Sequence, residues 1–437
     1  MKQMRWLLFA TAVLLLIVAC GGGEELETAV SDTPTDTVPN PPTPEPQITP
    51  TLAPPVVVVE EGGTESNVEQ SAPEVVETKI RPWPAEKFGY GVQIHGNATV
   101  GDPIFTMDTI SGQLGLDWVK MQLQWWQVHP TPDAGQWFFY DGVIDEAANH
   151  NRNLMISVVG SPDWTRAAGN HIGPPDDYNT YATFLTELIN RHPGKIDAIE
   201  VWNEQNLDRE WQTTNGISPE DYVRFLQVAY DAIKAADPNI IVISGALSPT
   251  GTGDWVRWAD DFEYLDRALA AGMLNYADCV GAHHNGYNIG PDVAFDQAGG
   301  TAEAATAQFR GPFDNPHHSW SFKTTLDTYA QKVHAYDPAM KLCVTEFGWA
   351  TSEGYDASPE GFAFALDNTL EEQAQNIVQA YQLMHESGNV WLAFLFNFDF
   401  GNKGSGVTDD PVPYSIIDIN GIPRPAFGAV ADMEKPD

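Results

Sequence analysis

Two glutamates carry the pattern with the clearest chemistry. Glu204 lies in Ile199-Glu200-Val201-Trp202-Asn203-Glu204-Gln205-Asn206, and Glu346 lies in Val344-Thr345-Glu346-Phe347-Gly348-Trp349. Each ends a short apolar run of strand character and precedes a segment rich in Trp, Gly and Asn. Paired carboxyl groups do acid–base work when one is protonated and the other ionised. At strand ends, among aromatic side chains, such a pair is equipment for hydrolysing a glycosidic bond.

The elements that must position this pair read as a repeat. Apolar runs at 88–94, 117–125, 154–159, 196–202, 240–246, 279–283, 341–345 and 390–398 predict strands. Each precedes a helical pattern: one ending near 114, then 143–150, 178–191, 219–236, 260–271, 319–336, 370–386 and 424–433. Ser218 is placed to cap the fourth of these, with Asp221 three residues on. Strands without polar alternation, separated by helices, imply a parallel sheet covered on its outside. Eight such units predict an α/β fold of the (β/α)8 TIM-barrel type. An open doubly wound sheet is the weaker alternative, because Gly89-Tyr90-Gly91 lies within or before the first strand and makes a poor phosphate loop. Catalytic groups of a barrel sit at the C-terminal ends of its strands. Glu204 on the fourth strand and Glu346 on the seventh should therefore converge across one mouth.

The N-terminal residues have another character. Residues 1–20 join Lys2 and Arg5 to an apolar core and end in Ile17-Val18-Ala19-Cys20, before three glycines. This predicts a secretory signal, too short for a comfortable membrane span. Its end resembles a bacterial lipobox, which implies lipidation at Cys20; an uncleaved anchor helix is the alternative. Either reading predicts an extracytoplasmic protein held at the membrane. Residues 21–82 repeat Thr-Pro pairs and acidic residues and should form a disordered tether. Residues 83–437 then form the catalytic domain. The formal net charge of -38 argues against nucleic acid and polyanionic substrates as partners and favours a neutral carbohydrate. Cys279 and Cys343 lie in apolar strand-like runs, which predicts buried thiols; a disulfide requires their strands to be neighbours.

Asn-Glu after the fourth strand and Thr-Glu-Phe-Gly at the seventh resemble clan A of the glycoside hydrolases, a retaining (β/α)8 group. Glu200 to Leu207, with Trp211 close behind, is most similar to family 39 and its relatives. The resemblance implies that Glu204 is the general acid/base, Glu346 the nucleophile and Asn203 a ligand of the sugar 2-hydroxyl. It also implies that the charge of Glu346 raises the pKa of Glu204 and keeps it protonated. His283, His284 and Tyr287 end the sixth strand, where the clan commonly places a Tyr or His against the nucleophile. Trp125, Trp164 and Trp349 fall at or past strand ends and are candidate sugar platforms, whereas Trp202 is expected in the core. Three departures stand out. Lys120 replaces an Arg and could pair with Glu200, Gln205 replaces a Pro, and Asn397-Phe398-Asp399 replace a Trp. No cofactor and no metal are expected, since Gln93-Ile94-His95 lacks the His-x-His of metallohydrolase barrels. The chain is expected to act as a monomer on an oligo- or polysaccharide. A glycan-binding surface lipoprotein without catalysis is the rival reading.

Overall fold

In the computed structural model, which describes residues 79–95 and 103–436, eight parallel strands wind around one axis. The expected signal, its Cys20 and nearly all of the tether lie outside the described residues. The strands are β1 (Gly89–Gln93), β2 (Trp118–Gln124), β3 (Asn153–Val159), β4 (Ala198–Val201), β5 (Ile241–Ser244), β6 (Val280–Gly286), β7 (Leu342–Trp349) and β8 (Val390–Leu395). They pair in the order β5-β4-β3-β2-β1-β8-β7-β6. The seam between β5 and β6 is the thinnest, formed by the isolated parallel bridges Ile243–Cys279 and Leu247–Ala282. There Asp278 N–H donates to Val242 O at 2.8 Å and Ser244 N–H to Cys279 O at 3.2 Å. The sheet thus comes round to a nearly closed (β/α)8 barrel, as the eight-unit pattern predicts.

The longer helices form the outer layer: α1 (Pro103–Thr109), α2 (Phe138–Asn149), α3 (Tyr178–Arg191), α4 (Pro219–Ala236), α5 (Asp261–Ala270), α6 (Phe322–His334), α7 (Leu370–Ser387) and α8 (Pro425–Asp432). Their starts are encoded locally. Ser218 accepts from Asp221 N–H at 3.2 Å, Asp260 from Glu263 N–H at 2.9 Å, and Thr369 with Glu372 forms a complete capping box.

Alternation along each strand sorts residues between the barrel interior and the helix layer. Trp118 and Lys120 point inward on β2, while Val119, Met121 and Leu123 meet the helices. The floor of the barrel holds Trp118, Met155, Ile243, Leu392 and Phe394. Gly91 faces the same interior, where a Cβ would come within 2.5 Å of Phe394.

Cys279 and Cys343 also point inward, from just before β6 and from β7, and they form a disulfide with a Cα–Cα distance of 5.9 Å. The expectation of two free thiols is therefore corrected. Both cysteines share the inward parity on adjacent strands, a relation invisible until strand order is known. Contacts with the barrel also reach back into the predicted tether. Lys79 pairs with Asp197, and Arg81 bonds Asp197 at 3.0 Å and Asp237 at 3.0 Å.

Candidate active site

β7 carries an irregularity that decides where Glu346 points. Opposite Ala282 and His283 of β6 lie Val344 and Glu346, and opposite Ala393 and Leu395 of β8 lie Val344 and Phe347. β7 therefore holds one more residue than either neighbour in this stretch, a β-bulge. In a regular strand, inward Cys343 and Thr345 would send Glu346 out to the helices. The bulge lets Thr345 and Glu346 both face inward and returns Phe347 to the helix layer, 4.7 Å from the Tyr381 ring.

Beneath Glu346 lies a buried polar chain across the barrel. Lys120 Nζ donates to Glu346 Oε1 at 3.0 Å and to Thr345 O at 2.9 Å, and stands 3.7 Å from Glu200 Oε2. Glu200 Oε1 accepts from Thr345 Oγ1 at 2.7 Å and from Ala246 N–H at 3.2 Å, while its other oxygen takes the Ser157 hydroxyl. Lys120 and Glu200 are wholly buried, so each charge depends on the other partners for compensation. The expected Lys120–Glu200 pair forms, and Lys120 also reaches the nucleophile candidate.

Glu204 stands on the loop after β4. Its φ is 45° and that of Trp202 is 75°, both in the left-handed region unfavourable for side-chain-bearing residues. The loop is held against the segment that follows β5: Glu204 N–H donates to Ala246 O at 2.9 Å, Gln205 Nε2 to Gly245 O at 2.7 Å, and Asn206 Nδ2 to Ser248 O at 2.8 Å. Gln205, in the place of the usual Pro, thus ties the acidic loop to that segment.

The two glutamates meet at His283, which points inward from β6. Its Nδ1 is 3.3 Å from Glu204 Oε1 and 3.9 Å from Glu346 Oε2, which bounds the gap between those oxygens at about 7 Å. The second oxygen of Glu204 accepts from Arg209 Nη2 at 2.8 Å. Burial lowers the pKa of His283, but the nearby Glu346 charge and the hydrogen bond with Glu204 outweigh it, and the net shift is upward. Burial pushes Glu204 up, yet the His283 hydrogen bond and the Arg209 charge overturn that and hold it at about 2. This corrects the expectation that Glu346 keeps Glu204 protonated. His283 and Arg209 both face Glu204, and Glu346 is paired with Lys120.

Other predicted residues divide by strand parity. Asn203 is buried beside Glu204, and its Oδ1 has no hydrogen-bond partner among the described residues. Tyr287 is half-buried, and burial with the Glu204 charge pushes it up to about 12. Trp164 remains 39% exposed past β3, with Nε1 donating to His129 O at 2.9 Å. Three expectations fail. Trp125 is one step out of phase with inward Gln124, is 1% exposed, and stacks on Phe184 at 5.0 Å in the helix layer. Trp349 faces outward past the bulge, is fully buried, and donates to Ile289 O at 3.0 Å. His284 follows inward His283 and therefore points out, where its Nε2 meets Ser319 O at 3.1 Å and burial lowers it to about 4.

Residues not anticipated complete the mouth. Arg209 binds Glu204, and Glu210, pushed up to about 8 by burial and then by the Glu204 charge, follows it. A basic residue five positions from a candidate carboxylate was a usable signal in a chain with 22 Lys and Arg against 60 acidic residues. Half-buried Trp126, next to Trp125, stacks on His171 at 4.4 Å. In the long connection after β6, Phe309 and Trp320 pack with Tyr287 and Phe364, forming an aromatic wall. Asp367 pins that wall by accepting from Phe309 N–H at 2.8 Å and Asn288 Nδ2 at 2.9 Å.

No protein-family model matches the sequence. The fold is similar to solved structures of glycoside hydrolases at low identity. The GH39 enzyme from Xanthomonas axonopodis pv. citri aligns with a TM-score of 0.52 and 15% identity over 81% of this chain and 67% of its own. A β-glycosidase, BGL167, aligns at 0.53 and 13% over 82% and 99%. A monomeric β-xylosidase from Caulobacter crescentus CB15 aligns at 0.51 and 16% over 81% and 69%. What these proteins share with this chain is the (β/α)8 barrel.

Proposed function

We propose that this chain is a retaining glycoside hydrolase that cleaves β-linked neutral oligo- or polysaccharides by double displacement. The observation that carries the reading is the pair Glu204 and Glu346, presented from β4 and β7 to a single His283 side chain. Retaining enzymes separate their carboxyl groups by about 5 Å, and inverting enzymes by about 6.5–9.5 Å to admit a water. The limit of about 7 Å between their nearer oxygens, set through His283, is compatible with the retaining spacing. Glu346, oriented by Lys120, attacks the anomeric carbon as the C1–O bond breaks, and the bonding electrons leave with the glycosidic oxygen. Glu204 delivers its proton to that oxygen. Water then opens the glycosyl-enzyme, giving its proton back to Glu204 and its oxygen to C1. The unpartnered Asn203 Oδ1 accepts from a sugar hydroxyl beside the nucleophile.

The similar solved structures include a β-xylosidase, so β-xylosides and xylan head the substrates to be tested, with β-glucan, mannan and galactan beside them. The Cys279–Cys343 disulfide supports an extracytoplasmic location, and lipidation at Cys20 would hold the enzyme at the membrane. The test is a substrate screen with NMR detection of the first-formed anomer. Wild type should release the anomer of retained configuration. Glu346→Gln and Glu204→Gln should each lose roughly 10²–10⁴-fold on poor leaving groups. Full activity in either variant, or an inverted product, would sink the proposal.

A further inference from the structure

We propose that Arg209 is a latch on the acid/base. Its guanidinium engages Glu204 Oε2, and the leaving-group portion of the sugar must displace it before that oxygen can carry a proton. The inference rests on the reading of Glu204 as acid/base. It starts from a difficulty in the geometry. Glu204 Oε1 faces His283 Nδ1 at 3.3 Å and Oε2 accepts from Arg209 at 2.8 Å. With both oxygens engaged by donors, neither is available to protonate a glycosidic oxygen.

One of the two partners is able to leave. His283 is a strand residue whose side chain is 1% exposed, whereas the Arg209 side chain is 28% exposed at the mouth. The backbone beneath Arg209 is pinned. Leu207 N–H donates to Glu204 O at 2.9 Å, Glu210 N–H to Leu207 O at 3.1 Å, Asp208 N–H to Arg257 O at 2.9 Å, and Trp202 Nε1 to Glu210 O at 2.8 Å. Release is therefore a side-chain swing into solvent on a fixed loop, without refolding of the acidic segment.

Glu204 faces Arg209 and Glu210 from its own loop, His283 and Tyr287 from the β6 side, Glu346 from β7 and Tyr414 from the segment after β8. Once Arg209 leaves, the remaining balance is burial plus acidic neighbours against one imidazole. Burial and like charges favour the neutral carboxyl. Its titration then moves upward, and a larger share of Glu204 carries the proton that is later passed to the leaving oxygen. A sugar that fills only the side of Glu346 leaves the latch closed, so the leaving-group portion of the substrate would arm the acid.

The full chain, labelled with [δ-13C]glutamate, tests this without substrate. The Glu204 carboxyl carbon is assigned by its absence in Glu204→Gln. In Arg209→Met its titration should move upward by roughly 1–3 pH units, the reach of an adjacent guanidinium on a carboxylate. Arg209→Lys should restore most of the wild-type titration. On β-1,4-xylo-oligosaccharides, whose poor leaving groups need the acid, kcat/KM at neutral pH should rise in Arg209→Met by a larger factor than kcat. An unmoved Glu204 titration in a folded Arg209→Met protein overturns the latch. So does a parallel change of kcat and kcat/KM, which would make Arg209 a transition-state contact. Full activity in Glu204→Gln would instead overturn the acid/base reading and leave the titration result standing.

Discussion

Lys120 shows how much one inward side chain carries. It is buried between Glu200 and Glu346 and bonds the Thr345 carbonyl, so it holds the bulge and the nucleophile candidate together. Lys120→Met should leave Glu200 and Glu346 without their cation, costing about 3–5 kcal/mol in urea unfolding, and kcat should fall with it. A stability within about 1 kcal/mol of wild type would show that the buried carboxylates do not depend on this cation. Glu204 makes a pH prediction. Its folded value of about 2 lies below the ordinary 4.5, so its ionised form adds stability above pH 4.5 that disappears as pH falls toward 2. Arg209→Met should unfold at higher pH than wild type in an acid titration followed by circular dichroism. The two glutamates and Asn203 were legible in the sequence because strand-end placement and residue type together specify them. The state of Glu204 was not legible, since it depends on His283 from another strand and on the rotamer of Arg209.

At the scale of elements, helix limits were the most legible feature. The spans 178–191 and 219–236 match α3 and α4, because caps and apolar periodicity are both local signals. Which way a strand residue faces was less legible. Trp125, His284 and Trp349 each neighbour a true inward position, and a one-residue step turns a side chain from the mouth to the helices. The β7 bulge compounds this, as it is defined by register with β6 and β8 and leaves no mark in β7 itself. The disulfide belongs to the same scale. It ties β6 to β7 beside the thinly bridged β5–β6 seam and spans 64 residues. Replacing both cysteines by Ala should cost about 2–4 kcal/mol. The thermal midpoint should fall, while turnover at low temperature persists because strand pairing still sets His283 and Glu346. Loss of turnover in a fully folded double variant would mean that the disulfide itself sets the site.

For the whole molecule, the division between tether and barrel can be tested directly. A chain beginning at Lys79 should fold with wild-type stability. One beginning at Trp83 loses the Lys79 and Arg81 partners of buried Asp197. It should be less stable by about 3–5 kcal/mol in urea unfolding; equal stability of the two would show that Asp197 is protonated or hydrated without them. The sequence by itself determined the eight β/α units, hence the barrel, and placed Glu204 and Glu346 at the ends of its fourth and seventh strands. Those are properties of local propensity and chain order. The tertiary structure decided which side chains face the mouth, that Cys279 meets Cys343, and that Arg209 and His283 hold Glu204 ionised. Each of these depends on strand register or on a side chain arriving from a distant element, and neither is written in the residues on either side.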